Sequence, residues 1–135
     1  MYNFGNFFLN KRVIITGHTG FKGSWLCLWL YLIGAKVIGV SKGLPTKPSH
    51  FEKLKIKNKI TDIRLDIRNF RKLKLVFKKY QPDFVFHLAA QSLVKKSYVH
   101  PVDTFTSNSI GTLNVLECIK GLKKKCTSVI ITSDK

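Results

Sequence analysis

Short apolar runs alternate along this chain with stretches whose apolar residues recur every three or four positions, the pattern of strands separated by helices. Arg12 to Thr16 predicts a first strand. Beyond three glycines, Phe21, Trp25, Leu28 and Leu32 fall on one face at helical spacing and predict a helix with that face inward, ended by Gly34. Lys36 to Val40 predicts a second strand. Ser41 to Lys59, with Gly43, Pro45, Pro48 and six lysines, reads as an exposed connection holding a short helix around Phe51. Ile60 to Leu65 predicts a third strand. Asn69 is placed to cap a helix carrying Phe70, Leu73, Phe77 and Tyr80, which Gln81-Pro82-Asp83 stops. A fourth strand follows at Phe84 to Leu88. A long helix starts near Pro101 with Val102, Phe105, Leu113, Leu116 and Ile119 inward and Gly121 closing it, before a fifth strand at Val129 to Thr132.

Strands that alternate with helices pair in parallel through right-handed crossovers, so the expected fold is α/β, a Rossmann-type doubly wound parallel sheet covered on both faces. At 135 residues the chain suits one domain spanning residues 1–135. In such a sheet the ligand crevice lies beyond the carboxyl ends of the strands. The polar clusters map there: Gly17 to Gly23 after strand one, Asp66 after strand three, His87 to Gln91 after strand four and Ser133-Asp134-Lys135 after strand five.

The first of these is the most specific. In Thr16-Gly17-His18-Thr19-Gly20-Phe21-Lys22-Gly23 the glycines are spaced by two residues and lie between a buried strand and a helix. A helix start leaves N–H groups unpaired at the positive end of its macrodipole, where a pyrophosphate can accept from them. Gly17 allows the tight turn, Gly20 lets backbone approach the phosphates, and Gly23 lets the helix pack closely on its strand.

Composition narrows the possibilities further. A formal net charge of +17, from 24 Lys and Arg against 7 Asp and Glu, attracts polyanions, but the lysines are scattered through the chain and fit a general compositional bias as well as a patch. No helix-turn-helix, zinc or RNA-recognition signature is present, so no specific nucleic-acid partner is expected. Cys27, Cys118 and Cys126 are odd in number and form no C-x-x-C pair, which argues against disulfides or a metal site and for a reducing, cytoplasmic setting. Cys27 and Cys118 read as core residues. The start, MYNFGNFFLNKRV, lacks the pattern of a secretory signal. Gly34-Ala35-Lys36 divides the apolar run Trp25 to Val40 into helix and strand, so no membrane span is expected. His87 reads as a core histidine and the Lys120 to Lys125 cluster as a solvated helix end.

Taken in order, TGHTGFKGSWLCLWL (Thr16 to Leu30), PTKPSHFE (Pro45 to Glu52), DIR (Asp66 to Arg68), FHLAAQSLVKKSY (Phe86 to Tyr98) and TSDK (Thr132 to Lys135) resemble the extended short-chain dehydrogenase/reductase family. Within it they are most similar to the CDP-glucose branch of the sugar-nucleotide 4,6-dehydratases. His18, the Phe21 to Trp25 run and the Ser-Asp-Lys ending are the more specific features.

The resemblance implies NAD as cofactor and three chemical stages. Hydride leaves C4 of a nucleotide-linked glucose, water leaves across C5 and C6, and hydride returns to C6. It implies that Gly17, His18, Gly20, Phe21, Lys22 and Gly23 surround the pyrophosphate, Asp66 and Ile67 hold adenine, and Leu88, Ala89 and Ala90 line the ribose. Asn108 organises the site, with Gln91 and Ser92 on the sugar side. Ser133 hydrogen-bonds the C4 oxygen, Asp134 is general acid at the C6 hydroxyl, and Lys135 assists loss of the C5 proton. The full-length family implies a homodimer acting on a nucleotide sugar. Strand two ends Gly39-Val40-Ser41-Lys42 without the acidic residue that selects a ribose 2′-hydroxyl, so NADP stays open. The family's Tyr-x-x-x-Lys pair lies beyond a fifth strand and does not occur in these 135 residues. The expectation is therefore an incomplete, amino-terminal Rossmann domain without the substrate-binding part, inactive alone. A non-catalytic dinucleotide-binding fragment and the dTDP-glucose or GDP-mannose dehydratase types are the alternatives.

Overall fold

The structure is a computed structural model in which residues 4–132 are described. Along the chain come α1 (Phe4–Phe8), β1 (Arg12–Thr16), α2 (Phe21–Leu32), β2 (Lys36–Ser41), α3 (His50–Lys53), a 3-10 turn (Lys57–Lys59) and β3 (Thr61–Arg64). Then follow α4 (Phe70–Tyr80), β4 (Phe84–His87), α5 (Val94–Val99), α6 (Pro101–Phe105), a π-helical turn (Thr106–Ile110), α7 (Gly111–Lys120) and β5 (Thr127–Ile130). The strands form one sheet in the order β3-β2-β1-β4-β5, every neighbouring pair parallel.

Side chains alternate across a strand, so β1 feeds two cores. Val13 and Ile15 pack with Val37 of β2, Cys27 and Leu30 of α2, Phe51 and Ile56 on one face. Ile14 packs with Ile38, Val40, Val85, Leu73 and Phe77 of α4, and Val115 and Cys118 of α7 on the other. Helices thus cover both faces, as a doubly wound sheet requires. Burial raises the Cys27 thiol to about 12 and that of Cys118 to about 11, so both act as small core residues.

Helix α4 follows its sequence signals closely. Asn69 Oδ1 accepts the Lys72 N–H at 3.1 Å, and Gln81, at φ 42°, ends the helix in the left-handed region before Pro82. Strand boundaries differ by one or two residues: β3 is Thr61–Arg64, β4 ends at His87, and β5 lies earlier than expected, at Thr127–Ile130.

Two inward faces are corrected. In α2 the buried residues are Gly23, Ser24, Cys27 and Leu30, while Phe21, Trp25 and Leu32 are exposed. This helix is apolar on nearly all sides, so periodicity does not select its face; the small side chains take the close approach to the sheet and the large aromatics are left outside. The same holds at α7, where Gly111, Val115 and Cys118 are buried and Leu113 and Leu116 exposed, with Val102 and Phe105 of α6 exposed as well. The π-helical turn between α6 and α7 inserts a residue and shifts the helical phase, so one continuous stripe cannot be drawn through both. Helices α1 and α5 have no counterpart in the sequence reading. The 41–59 connection is less exposed than expected, because Ser49, Phe51 and Ile56 are buried.

Candidate functional site

The parallel order brings the ends of β1 and β4 side by side, with Thr16 opposite His87 and also opposite Val40 of β2. Gly17 takes φ 75°, and its N–H reaches Val40 O at 2.8 Å. A Cβ on Gly17 would stand 2.8 Å from both Ala89 N and Leu88 C, so only glycine lets the two strand ends approach this closely. A Cβ on Gly23 would collide with Gly17 O, so this glycine packs α2 against the turn itself rather than against strand β1. Gly20 N donates to Gly17 O at 3.0 Å, and the helical ladder begins with Ser24 N donating to Gly20 O at 2.9 Å. The amides of Phe21, Lys22 and Gly23 precede that first bond and lie at the positive end of a twelve-residue helix. Phe21 and Lys22 are exposed. Such a start can accept an anionic group.

His18 and Thr19 stitch this turn to the next two strands. The His18 ring is fully buried, lies against Gly39 and edge-on to Phe51, and meets Asp62 Oδ1 of β3 at 2.9 Å. Burial lowers its pKa, with Asp62 opposing that shift. His18 can therefore meet a cofactor only through its main chain, which corrects any role for its imidazole there. Thr19 N donates to Ser41 Oγ at 3.4 Å and Thr19 Oγ1 to Gly43 O at 2.6 Å. Farther along, Ser24 Oγ pairs with His50 Nδ1 at 2.6 Å, and the His50 ring lies 4.8 Å from that of Phe21 and 4.9 Å from that of Trp25. The PTKPSHFE segment is thus docked on the start of α2.

At the end of β4, His87 bridges two elements. Thr112 Oγ1 donates to Asn108 O at 2.6 Å, which leaves it to accept from His87 Nε2 at 2.9 Å. The ring proton is therefore on Nε2, and Nδ1 accepts the Thr16 hydroxyl at 2.6 Å while Thr16 Oγ1 accepts Ala89 N–H at 3.2 Å. Each proton in this chain of bonds is donated once, and burial holds His87 down to about 4, so it is neutral near pH 7. Asn108 sits in the π-helical turn and clasps Gln91 from both sides, Oδ1 accepting Gln91 N at 2.7 Å and Nδ2 donating to Gln91 O at 3.0 Å. The Gln91 side chain turns back on Leu93 and Thr104. Ser92 is exposed.

Past β3, Asp66 is forked by Arg68, which also reaches Asp103 and Thr106. That partnership holds the Asp66 carboxyl below the usual carboxylate range. Ile67 is buried against Gly111. Asn114 donates to the carbonyls of Ile67 and Arg68 at 3.0 and 3.1 Å. The structure thus brings Gly17 to Gly23, Asp66, Ile67, Leu88 to Gln91 and Asn108 to one end of the sheet. Ser133, Asp134 and Lys135 lie outside the described residues. Arg68, Asp103, Thr112 and Asn114 were missed; the only sequence hint was their position near the DIR and FTSNSIGT segments.

This arrangement has counterparts among known proteins. A family model described as GDP-mannose 4,6 dehydratase matches residues 14–135. The chain belongs to this family. Among curated relatives of these sugar-nucleotide enzymes, it is 46% identical over 130 residues to the CDP-glucose 4,6-dehydratase of Salmonella typhimurium, covering 96% of this chain and 36% of that protein. It is 35% identical to the UDP-glucuronate 4-epimerase of Thermodesulfobacterium geofontis, covering 82% and 36%. Among solved structures of the same fold, the epimerase Mth375 of Methanothermobacter thermautotrophicus superposes with a TM-score of 0.77 at 32% identity, over 88% of this chain and 34% of that one. The UDP-glucose 4-epimerase of Thermus thermophilus, solved in complex with NAD, gives a TM-score of 0.71 at 31% identity, over 81% and 33%. The chain thus spans about a third of the length of the relatives it matches.

Proposed function

We propose that this chain is the cofactor-binding part of a sugar-nucleotide dehydratase that converts CDP-glucose to CDP-4-keto-6-deoxyglucose with NAD. The observation that carries the proposal is the 46% identity to the Salmonella CDP-glucose 4,6-dehydratase, against 35% to the epimerase relative and 34% to a GDP-mannose 4,6-dehydratase of Vibrio cholerae. The glycine turn supports it, since Gly17 and Gly23 leave no room for a Cβ and the first amides of α2 lie at the positive end of the helix.

When bound, NAD supplies reversible hydride acceptance at C4 and return at C6. The amides of Phe21, Lys22 and Gly23 hold the pyrophosphate, Asp66 and Ile67 the adenine, and Leu88 to Ala90 the ribose. Asn108 fixes Gln91 on the sugar side, beside Ser92. Ser133 hydrogen-bonds the C4 oxygen, Asp134 protonates the departing C6 hydroxyl, and Lys135 assists removal of the C5 proton. No Tyr-x-x-x-Lys occurs in these 135 residues. On this proposal the polypeptide alone binds dinucleotide and does not turn over, and the whole protein is a cytoplasmic homodimer. Among the described residues no helix is long and apolar enough to cross a membrane.

Calorimetric titration with NAD and with NADP is the first test, expected to give saturable heat with NAD. NADP belongs in the same experiment because β2 ends in Ser41 and is followed by Lys42, with no carboxylate to refuse a 2′-phosphate. The second test supplies the carboxy-terminal part of the Salmonella relative and compares CDP-glucose, dTDP-glucose and GDP-mannose as sources of 4-keto-6-deoxy product. A folded sample that binds neither dinucleotide overturns the proposal. Product from GDP-mannose in preference to CDP-glucose overturns its substrate assignment.

A further inference from the structure

We propose that Arg68 is a positioning residue that turns the Asp66 carboxylate into a single-place acceptor for the exocyclic amine of adenine. This rests on the dinucleotide function proposed above and assigns the base selectivity of that site to a residue outside the cradle itself.

The carboxylate is nearly saturated from one side. Asp66 Oδ1 accepts the Arg68 backbone N–H at 2.9 Å and Nε at 3.1 Å, while Oδ2 accepts Nη2 at 2.7 Å and shares Nε at 3.1 Å. An ionised carboxylate offers about four acceptor positions. Three N–H groups, one of them shared, leave it about one. The Asp66 side chain is 31% exposed, so that remaining position is open to a ligand.

The guanidinium cannot swing away to release the carboxylate, because its other end is held. Nη1 donates to Asp103 Oδ1 at 2.6 Å and to Thr106 Oγ1 at 3.2 Å, at the junction of α6 and the π-helical turn. The backbone beneath is bolted to the same helices, through Asn114 to the carbonyls of Ile67 and Arg68, and through the Ile67 side chain seated over Gly111. A planar fork fixed at both ends presents its carboxylate in one orientation, which a lysine ammonium would not do.

The charge state adds direction to the geometry. Arg68 keeps the Asp66 carboxyl below its ordinary range, so near pH 7 the group only accepts hydrogen bonds. It pairs with an amine at C6 of a purine and opposes a carbonyl there, because two acceptors would face each other with neither satisfied. With C6 of the base facing Asp66, the selectivity is therefore for adenine over hypoxanthine.

The test compares NAD with nicotinamide hypoxanthine dinucleotide, which carries oxygen for the 6-amino group and a hydrogen on N1, by calorimetric titration of the intact protein. The expected result is that NAD binds at least about tenfold more tightly, the equivalent of about 1.4 kcal/mol. In Arg68→Gln the two dinucleotides are expected to bind within about twofold of each other. Asp103→Asn keeps Arg68 on Asp66 but loosens its far end, and it is expected to give an intermediate ratio; this variant also carries the test if Arg68→Gln fails to fold. A simple loss of fold stability weakens both ligands alike and leaves the ratio where it was. Equal binding by the unsubstituted protein, or a full tenfold ratio retained in Arg68→Gln or in Asp103→Asn, overturns the proposal. A folded protein that binds neither dinucleotide overturns the underlying cofactor assignment instead.

Discussion

The two sides of the candidate cofactor site are built on opposite principles. Gly17 to Gly23 is one contiguous segment, and its shape comes from backbone: a left-handed glycine, a helix start and two places where a Cβ has no room. Asp66 to Arg68 is short and has no such constraint of its own. Its shape comes from side chains some 35 to 47 residues away, Asp103, Thr106 and Asn114. A backbone-built site fails when a methyl group is added, because backbone atoms cannot step aside. A site built from side chains yields gradually, since each partner contributes a fraction and can shift.

Gly23→Ala tests that contrast most severely. Its new Cβ collides with the Gly17 carbonyl and crowds Gly17 C and His18 Cα, all of them backbone. Stability is expected to fall by about 3 kcal/mol, with loss of NAD heat in titration. An unchanged thermal midpoint with NAD binding retained would break the distinction.

The next effect belongs to the bridge between the two sides. His87 is held neutral with its pKa down at about 4, against 6.5 for the free group. Between these values the unfolded chain binds more protons than the folded one, so stability rises with pH. It is expected to be fully present above about pH 6.5 and to fall by up to about 1.4 kcal/mol per pH unit on acidification toward pH 4. Urea unfolding across this range should show a shallower slope in His87→Asn. Equal slopes would mean that this histidine is not the group being linked.

Gly111→Ala is the milder counterpart of Gly23→Ala. Here the new Cβ would stand 2.5 Å from Ile67 Cδ1 and 2.8 Å from its Cγ1, atoms of a rotatable side chain rather than backbone. A loss of about 1 to 2 kcal/mol is expected, with NAD affinity reduced rather than abolished. Collapse as complete as that of Gly23→Ala would show that the Asp66 side is as rigid as the turn. Asn69→Ala provides the smallest effect and a control. It removes the α4 cap and is expected to lower stability by about 1 kcal/mol with NAD binding unchanged in the same titration.

The difference between the two sides also accounts for what was legible in the sequence. The glycine turn was readable because its requirements are local: φ above zero at Gly17 and bare backbone at Gly23 admit essentially one residue type. The cap at Asn69 and the stop at Gln81-Pro82 were readable for the same reason. The inward faces of α2 and α7 were not. Periodicity points to the large apolar residues as the core there, whereas close helix-to-sheet packing selects Gly23, Ser24 and Cys27 in one and Gly111, Val115 and Cys118 in the other. The bonds from Arg68 to Asp103 and from His87 to Thr112 could not be seen either, because polar residues far apart in sequence carry no periodicity that marks them as neighbours.

By itself, then, the sequence determined the alternation of strands and helices, the parallel sheet that follows from it, and the glycine turn at the first helix start. These depend on local dihedral preference and on the burial of apolar residues. Tertiary structure decided which helix face is buried, which nitrogen of His87 carries the proton, and that the His18 ring is structural. It also decided that Arg68, anchored on Asp103 of α6 and Thr106 of the π-helical turn, holds Asp66. Those outcomes depend on the distance between groups brought together only when the sheet closes its order β3-β2-β1-β4-β5. Hydrogen bonds and steric exclusion act over a few ångströms, and chain position does not encode that distance.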